Sequence, residues 1–302
     1  MLNLKRTKII LLAITACLLW SSAFAFIKIG LDYCTPILFA GIRFILAGIL
    51  LLPFCGGAKK SFKSVGKNFK AVVILSFFQT FLLYSLLFWG MTLIPGSTGA
   101  IVTGSSPLIA AIAAHVFLKE DKLTLRKTFC IFSGIFGIIL ISFESQFTSA
   151  GSFKELLGIL ILLAATFASS IGNVIVAKDK SDMTPIALNS AQIGLGGFML
   201  LILSFVLEGY PQVTITKQFV LALLWLSFIS SAGFSIWFYL IKKERVKISE
   251  LNMWKFIIPI FGALISWILL KNDTPSVMSV IGMLIVSLSV LFFFIKNPSL
   301  VE

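Results

Sequence analysis

The feature that most constrains this chain is the length of its apolar runs. Again and again a stretch of about 20 residues passes with hardly a charge, which is what a helix needs to cross the hydrocarbon of a bilayer. Ten such runs are read, at 8–27, 36–54, 70–91, 98–118, 126–143, 154–176, 185–207, 217–241, 248–270 and 275–296. The connections between them are too short for a soluble domain. Hydrophobic residues make up 58% of the 302 and charged ones only 12%, where a soluble domain has about a quarter charged. Strands of a membrane barrel would alternate apolar and polar residues, and these runs do not. The fold class expected is an all-α polytopic membrane protein with ten transmembrane helices.

The net charge of +13 would suggest nucleic acid in a soluble chain. Its placement argues otherwise. The N-terminal segment, every second connection and the C-terminal tail hold 19 of the 25 Lys and Arg, the alternate connections hold 4, and Arg43 and Lys255 lie inside runs. Positive charge is retained on the cytoplasmic side, so both termini are expected there, in the plasma membrane (the inner one of a bacterial cell). No nucleic-acid partner is expected, and lipid surrounds the chain. The first run continues as SSAFAFIKIG without a small-residue cleavage site, so it reads as a retained helix rather than a signal peptide. The four cysteines are scattered, with no metal or disulfide spacing.

The chain also repeats. TPILFAGIRFILAGILLLPF (35–54) matches TPIALNSAQIGLGGFMLLIL (184–203) at seven of twenty positions, and TGSSPLIAAIAAHVFLKED (103–121) matches KFIIPIFGALISWILLKND (255–273) at five of nineteen, Pro107 with Pro259 among them. Five spans are an odd number, so two successive units, 1–148 and 149–302, would lie inverted in the membrane. That is the pattern of carriers that alternate access around a midplane site.

With these residues in hand, LLWSSAFAFIKIG in the first span, GIRFILAG in the second and the proline, histidine and LKE that close the fourth resemble the EamA family of the drug/metabolite transporter superfamily. The resemblance runs over essentially the whole chain. It implies a secondary carrier whose cavity is lined by spans one to four and six to nine, with five and ten peripheral, and it implies amino acids or other small metabolites, often moved outward, as substrates. Three positions depart from the family pattern. Asn272 stands opposite Glu120, Ala168 opposite Trp20, and Lys255 in span nine has no general counterpart.

Lys255 is the polar position that most needs a reason. It could snorkel to the near interface. Pro259, four residues on, removes the hydrogen bond to the carbonyl of residue 255, and freed backbone within a membrane is tolerated where protein or water surrounds it. Lys255 is therefore expected in a water-filled cavity, meeting a carboxylate or phosphate of the substrate. Thr103 is its repeat counterpart and, with Ser106, a candidate lining residue, while the other small residues of span four read as close helix packing. Arg43, deep in span two, should point inward and pair; Gln192 is its counterpart. Ser21 and Ser22, after Trp20, correspond to Ser169 and Ser170, which Asn173 follows, and together these would set an indole and hydroxyls about the centre. Gln79 and Tyr84 are deep in span three. Trp237 and Tyr239 lie near a helix end and read as interface anchors, as does His115.

No Asp or Glu lies well inside a span, which argues against cation efflux through a membrane carboxylate. No paired aspartates, serine–histidine set or phosphate-binding loop is present, so no enzyme activity and no cofactor are expected. The reading is a secondary transporter, an exporter of an amino acid or related carboxylate-bearing metabolite, with organic cations or neutral drug-like compounds, or a non-transport membrane protein, as the alternatives. Small-residue faces on spans five and ten would serve a homodimer or internal packing. The charge asymmetry predicts that a fluorescent protein fused at either terminus glows and alkaline phosphatase there is inactive; active phosphatase would reverse the orientation.

Overall fold

Backbone inside hydrocarbon has no water to bond to, so long apolar runs satisfy themselves as helices. The computed structural model describes residues 2–109, 124–148, 152–246, 251–252 and 254–295, and it is built from helices. Among the described residues the one ladder contact is an isolated bridge between Cys34 and Val213. In chain order the elements are α1 (Leu2–Leu31), α2 (Pro36–Leu51), α3 (Ala58–Lys67), α4 (Phe69–Ser76), α5 (Leu83–Leu93), α6 (Gly96–Gly104), α7 (Leu125–Thr148), α8 (Ser152–Lys178), α9 (Pro185–Leu207), α10 (Lys217–Lys242), α11 (Ile257–Leu269) and α12 (Val277–Ile295). Among the described residues six helices are long and apolar enough to cross a membrane, and the apolar helices Trp254–Leu269 and Val277–Phe293 are shorter. Their outer faces expose large apolar side chains such as Leu11, Ile49, Phe129, Phe198 and Ile268, surface that lipid rather than water would cover.

Three elements differ from the sequence expectation. The basic connection after α2 is not all loop: its residues form α3, reached through Gly56 and Gly57, whose φ values of 78° and 106° suit glycine. The third apolar run is one helical rod with a wide π turn, Phe77–Leu82, between α4 and α5. The ninth is not continuous. Leu251 and Asn252 are helical, and a 3₁₀ turn over Trp254–Phe256 precedes the regular helix that starts at Ile257.

Helices pack in pairs. α2 lies along α9, α6 along α11, α7 along α12, α1 along α10 and α5 along α8. Glycine permits the close crossings. A Cβ on Gly197 would stand 2.8 Å from the backbone nitrogen of Ile45 in α2, and one on Gly104 would run into the ring of Pro259. A Cβ on Gly137 of α7 would stand 3.1 Å from the carbonyl of Gly282 in α12, so the small residues of this pair are used inside the chain.

Charged side chains tie the ends. Glu208, at the end of α9, accepts hydrogen bonds from Thr35 Oγ1 (2.8 Å) and from the backbone N–H groups of Ile37 (2.7 Å) and Leu38 (2.9 Å) at the start of α2. Asp273, after α11, accepts from the Ser97 N–H (2.8 Å) and hydroxyl at the start of α6. Both carboxylates meet unsatisfied N–H groups where the helix dipole favours negative charge. At the opposite ends of α9 and α10, Lys242 bonds Asp179 (2.6 Å) and the carbonyls of Ser181 (3.0 Å) and Met183 (2.7 Å). Burial alone would raise the Asp179 carboxyl, but the bonds from Lys242 and Ser181 outweigh it and hold the group below its ordinary value.

The Gly104–Pro259 crossing predicts a paired result. Gly104→Ala lowers the melting temperature, with a cost on the order of 1–3 kcal/mol from overpacking. Gly66→Ala in α3, where an added Cβ meets nothing within 4 Å, leaves it unchanged or slightly raised. Thermal unfolding in detergent reads both.

Candidate functional site

The site begins with two prolines. Pro107 and Pro259 each lack the N–H that would bond four residues back. In the first case regular helix breaks at Ser105, whose N–H and hydroxyl both turn to the Val102 carbonyl at 3.1 and 2.6 Å. In the second the 3₁₀ turn that carries Lys255 takes the place of helix. Because α6 and α11 cross at Gly104 and Pro259, both breaks fall at the same level of the bundle.

There they open onto a cavity of about 80 Å³, which admits a few waters. Trp20, Arg43, Gln79, Tyr84, Thr103, Ser106, Asn173 and Lys255, the eight residues singled out in the sequence, all line this one cavity. His115 and Glu120 lie outside the described residues.

Lys255 does not snorkel. It is 7% exposed, and its Nζ stands 5.3 Å from the centre of the Trp237 ring. Among the described residues no carboxylate lines the cavity. Arg43, 1% exposed, is held without an acid as well. Its Nε donates to the Leu226 carbonyl (3.2 Å) and the Ser230 hydroxyl (3.0 Å), and its guanidinium sits over Phe44, Tyr84 and Phe88 at 4.8, 5.3 and 5.6 Å. The expected pairing of Arg43 is thus with ring faces and a carbonyl, an arrangement a weakly hydrated guanidinium accepts. Its counterpart Gln192 stays out of the cavity, accepting from Thr80 (2.6 Å) and donating to Asn189 (3.1 Å).

Gln79 reaches the cavity because the π turn re-aims it. Such wide turns recur at functional sites. A Cβ on Gly172 of α8 would collide with the Gln79 amide, so glycine there gives the amide its room. Three buried polar atoms of lining residues have no hydrogen-bond partner: Arg43 Nη1, Gln79 Oε1 and Thr103 Oγ1. Buried polar atoms are rarely left so, and these three flank one space.

Trp237 corrects the sequence reading. It is no interface anchor: it is 1% exposed, lines the cavity, donates to Asn173 Oδ1 (3.3 Å) and meets Trp20 edge-on at 5.0 Å. Position near a helix end misled, because α10 ends against protein rather than lipid at this face. Tyr239, two residues on, bonds Lys8 and Glu244. Ser21 and Ser22 do not line the cavity; the first turns to the Cys17 carbonyl and the second accepts from Trp225. Phe234, Thr166 and Ser169 also line the cavity, with apolar side chains such as Phe24 and Leu87 between them. Only Ser169 had a signal, its register with Ser21 in the repeat. Among the described residues no three His, Cys, Asp or Glu side chains group to hold a metal.

The family model described as "EamA-like transporter family" matches residues 7–143 and again 156–295. The chain belongs to this family. An uncharacterised transporter of Bacillus subtilis (strain 168), YoaV, is 24% identical over 267 residues, 88% of this chain and 90% of the relative. An S-adenosylmethionine/S-adenosylhomocysteine transporter of Chlamydia trachomatis serovar L2 is 26% identical, over 85% of this chain and 80% of its own. A protein of known crystal structure, 18% identical, superimposes with a TM-score of 0.68 over 98% of this chain and 99% of its own, which establishes the likeness of fold. The EamA-like chain is an integral membrane protein of a transporter family, and its polar lining is the candidate substrate site.

The Gln79 geometry generates a prediction about this EamA-like cavity. Gly172→Ala displaces the amide and weakens binding of any ligand that stabilises the wild type by about tenfold, the equivalent of one good hydrogen bond. Titration by thermal shift measures it; unchanged affinity would mean that Gln79 is not a contact.

Proposed function

We propose that this EamA-like protein is a secondary carrier, an exporter, that moves an amino acid or related carboxylate-bearing metabolite by alternating access. The observation that carries the reading is Lys255: a buried cation at a proline-broken turn, facing a cavity that among the described residues offers it no acid. A charge within a membrane span that has no protein counter-ion is explained by one that comes and goes. On this reading the substrate carboxylate meets Lys255, Thr103 and Ser106 hydrogen-bond beside it, Trp20, Tyr84 and Asn173 shape the space, and Gln79 and Arg43 contact its other end.

We further read the bundle as ten spans in two inverted five-helix units, 1–148 and 149–302, in the plasma (bacterial inner) membrane with both termini in the cytoplasm. The helix pairs support this. Exchange of each helix for its repeat counterpart maps the pairs α2/α9, α6/α11 and α7/α12 onto themselves and interchanges α1/α10 with α5/α8. The family model's two matches in succession point the same way. The relative named for S-adenosylmethionine is compatible with the carboxylate class, since that compound carries one, and goes no further toward a particular substrate.

Thermal stabilisation by a panel of amino acids, keto acids and amines tests the reading, because a ligand that binds only the folded state raises its apparent stability. Carboxylates should stabilise the wild type and not Lys255→Ala, with partial recovery in Lys255→Arg. The same compounds should exchange across proteoliposomes. Lipophilic amines that stabilise wild type and Lys255→Ala equally would sink the proposal.

A further inference from the structure

Four aromatic rings run through the cavity wall from one buried cation to the other. Lys255 Nζ stands over Trp237; Trp237 meets Trp20 at 5.0 Å and 62°; Trp20 meets Phe234 at 5.5 Å and 56°; Phe234 meets Tyr84 at 6.3 Å and 83°; and the Arg43 guanidinium sits over Tyr84. All six residues line the cavity. Every ring pair is tilted or edge-on, so the ring faces are not stacked against one another. We propose that this site selects acids whose body is a flat, unsaturated ring, bound along the Trp237–Trp20–Phe234–Tyr84 wall with the carboxylate at Lys255. The proposal rests on the carboxylate reading above and adds what lies behind the carboxylate.

Two observations favour it. Aromatic surfaces gain from edge-to-face or offset contact with another ring beyond the area they bury, and a wall of four offers that gain along the whole body of a ligand. The unpaired polar atoms match a ring with a hydrogen-bonding edge: Gln79 Oε1 accepts, Thr103 Oγ1 does either, and Arg43 Nη1 donates. The plain alternative is that these rings only fill space. Phe39, Phe44 and Phe88 do that; they are fully buried and do not line the cavity. A lipophilic cation could also use ring faces, but a cation at each end of the wall opposes it, and among the described residues no carboxylate lines the cavity.

The deciding comparison keeps charge and size nearly constant and changes only flatness. Phenylacetate, indole-3-acetate, cyclohexylacetate and phenethylamine are titrated against the purified full chain by thermal shift, with Lys255→Gln, Trp20→Leu and Phe234→Leu alongside. Phenylacetate should bind tighter than cyclohexylacetate by on the order of three- to tenfold, the ratio that one or two ring contacts supply, and indole-3-acetate tighter again. Trp20→Leu and Phe234→Leu should erase that ratio, and Lys255→Gln should weaken all three acids alike. If phenylacetate and cyclohexylacetate bind equally and both depend on Lys255, the carboxylate reading stands and the flat-body proposal is overturned. If phenethylamine binds best and ignores Lys255→Gln, both fail. No binding of any acid at 10-millimolar order, well above the weakest affinities of interest, overturns the proposal as well. Should a leucine variant fail to fold, the wild-type ratio decides alone.

Discussion

Every other feature of this bundle depends on where its backbone may be left unbonded. Hydrocarbon does not hydrate a peptide group, so an opened turn must be surrounded by protein or by water. Two prolines open two turns, and the chain meets the constraint by crossing the two interrupted helices at Gly104 and Pro259, so that both openings share one enclosed space. Residues of α1, α2, α5, α8 and α10 form the rest of its walls. The carboxylates at the helix ends serve the same economy of polar groups. Asp273 and Glu208 bond the free N–H groups at the starts of α6 and α2, where no earlier turn exists to take them.

Much of the site was legible because a polar residue inside an apolar run has few places to go. Lys255, Arg43, Gln79, Tyr84, Thr103, Ser106, Asn173 and Trp20 stood out against their neighbours, and the inward direction that cost demands brings them to one cavity. The apolar side of the wall was not legible in that way. Trp237 and Phe234 resemble dozens of other aromatic residues in this chain, and what separates them is the helix face they occupy, which a run apolar on all sides does not encode. The π turn at Phe77–Leu82 was equally hidden: Gln79, which it carries, sits against Gly172 on a distant helix, a contact that no local pattern encodes. The break at Lys255 was half legible: Pro259 announced an open carbonyl, and the 3₁₀ turn is its consequence.

The two halves have diverged at the positions that matter most. Arg43 and Gln192 occupy matching places, yet Arg43 faces the cavity with an unpaired Nη1 while Gln192 is bonded at both ends to Thr80 and Asn189. Lys255 matches Thr103 in the sequence repeat, so the matching positions carry a cation and a hydroxyl, and both line the cavity. The lining thus differs between the two stretches that match the family model, which gives the cavity distinct ends.

The cage around Arg43 has an electrical consequence. Phe44, Tyr84, Phe88, a carbonyl and a hydroxyl hold the guanidinium, and none of them neutralises it. Arginine keeps its proton in proteins, so a full positive charge remains fixed near the middle of the bundle. In a carrier that alternates access, the voltage drop shifts from one side of the central site to the other as the gates exchange. Sweeping the field past a fixed charge does the same work as moving that charge through the field, about 2.3 kcal/mol for each 100 mV crossed. On the alternating-access reading proposed above, Arg43 makes the membrane potential a term in the resting preference of the empty protein, and a bound anion reduces that term.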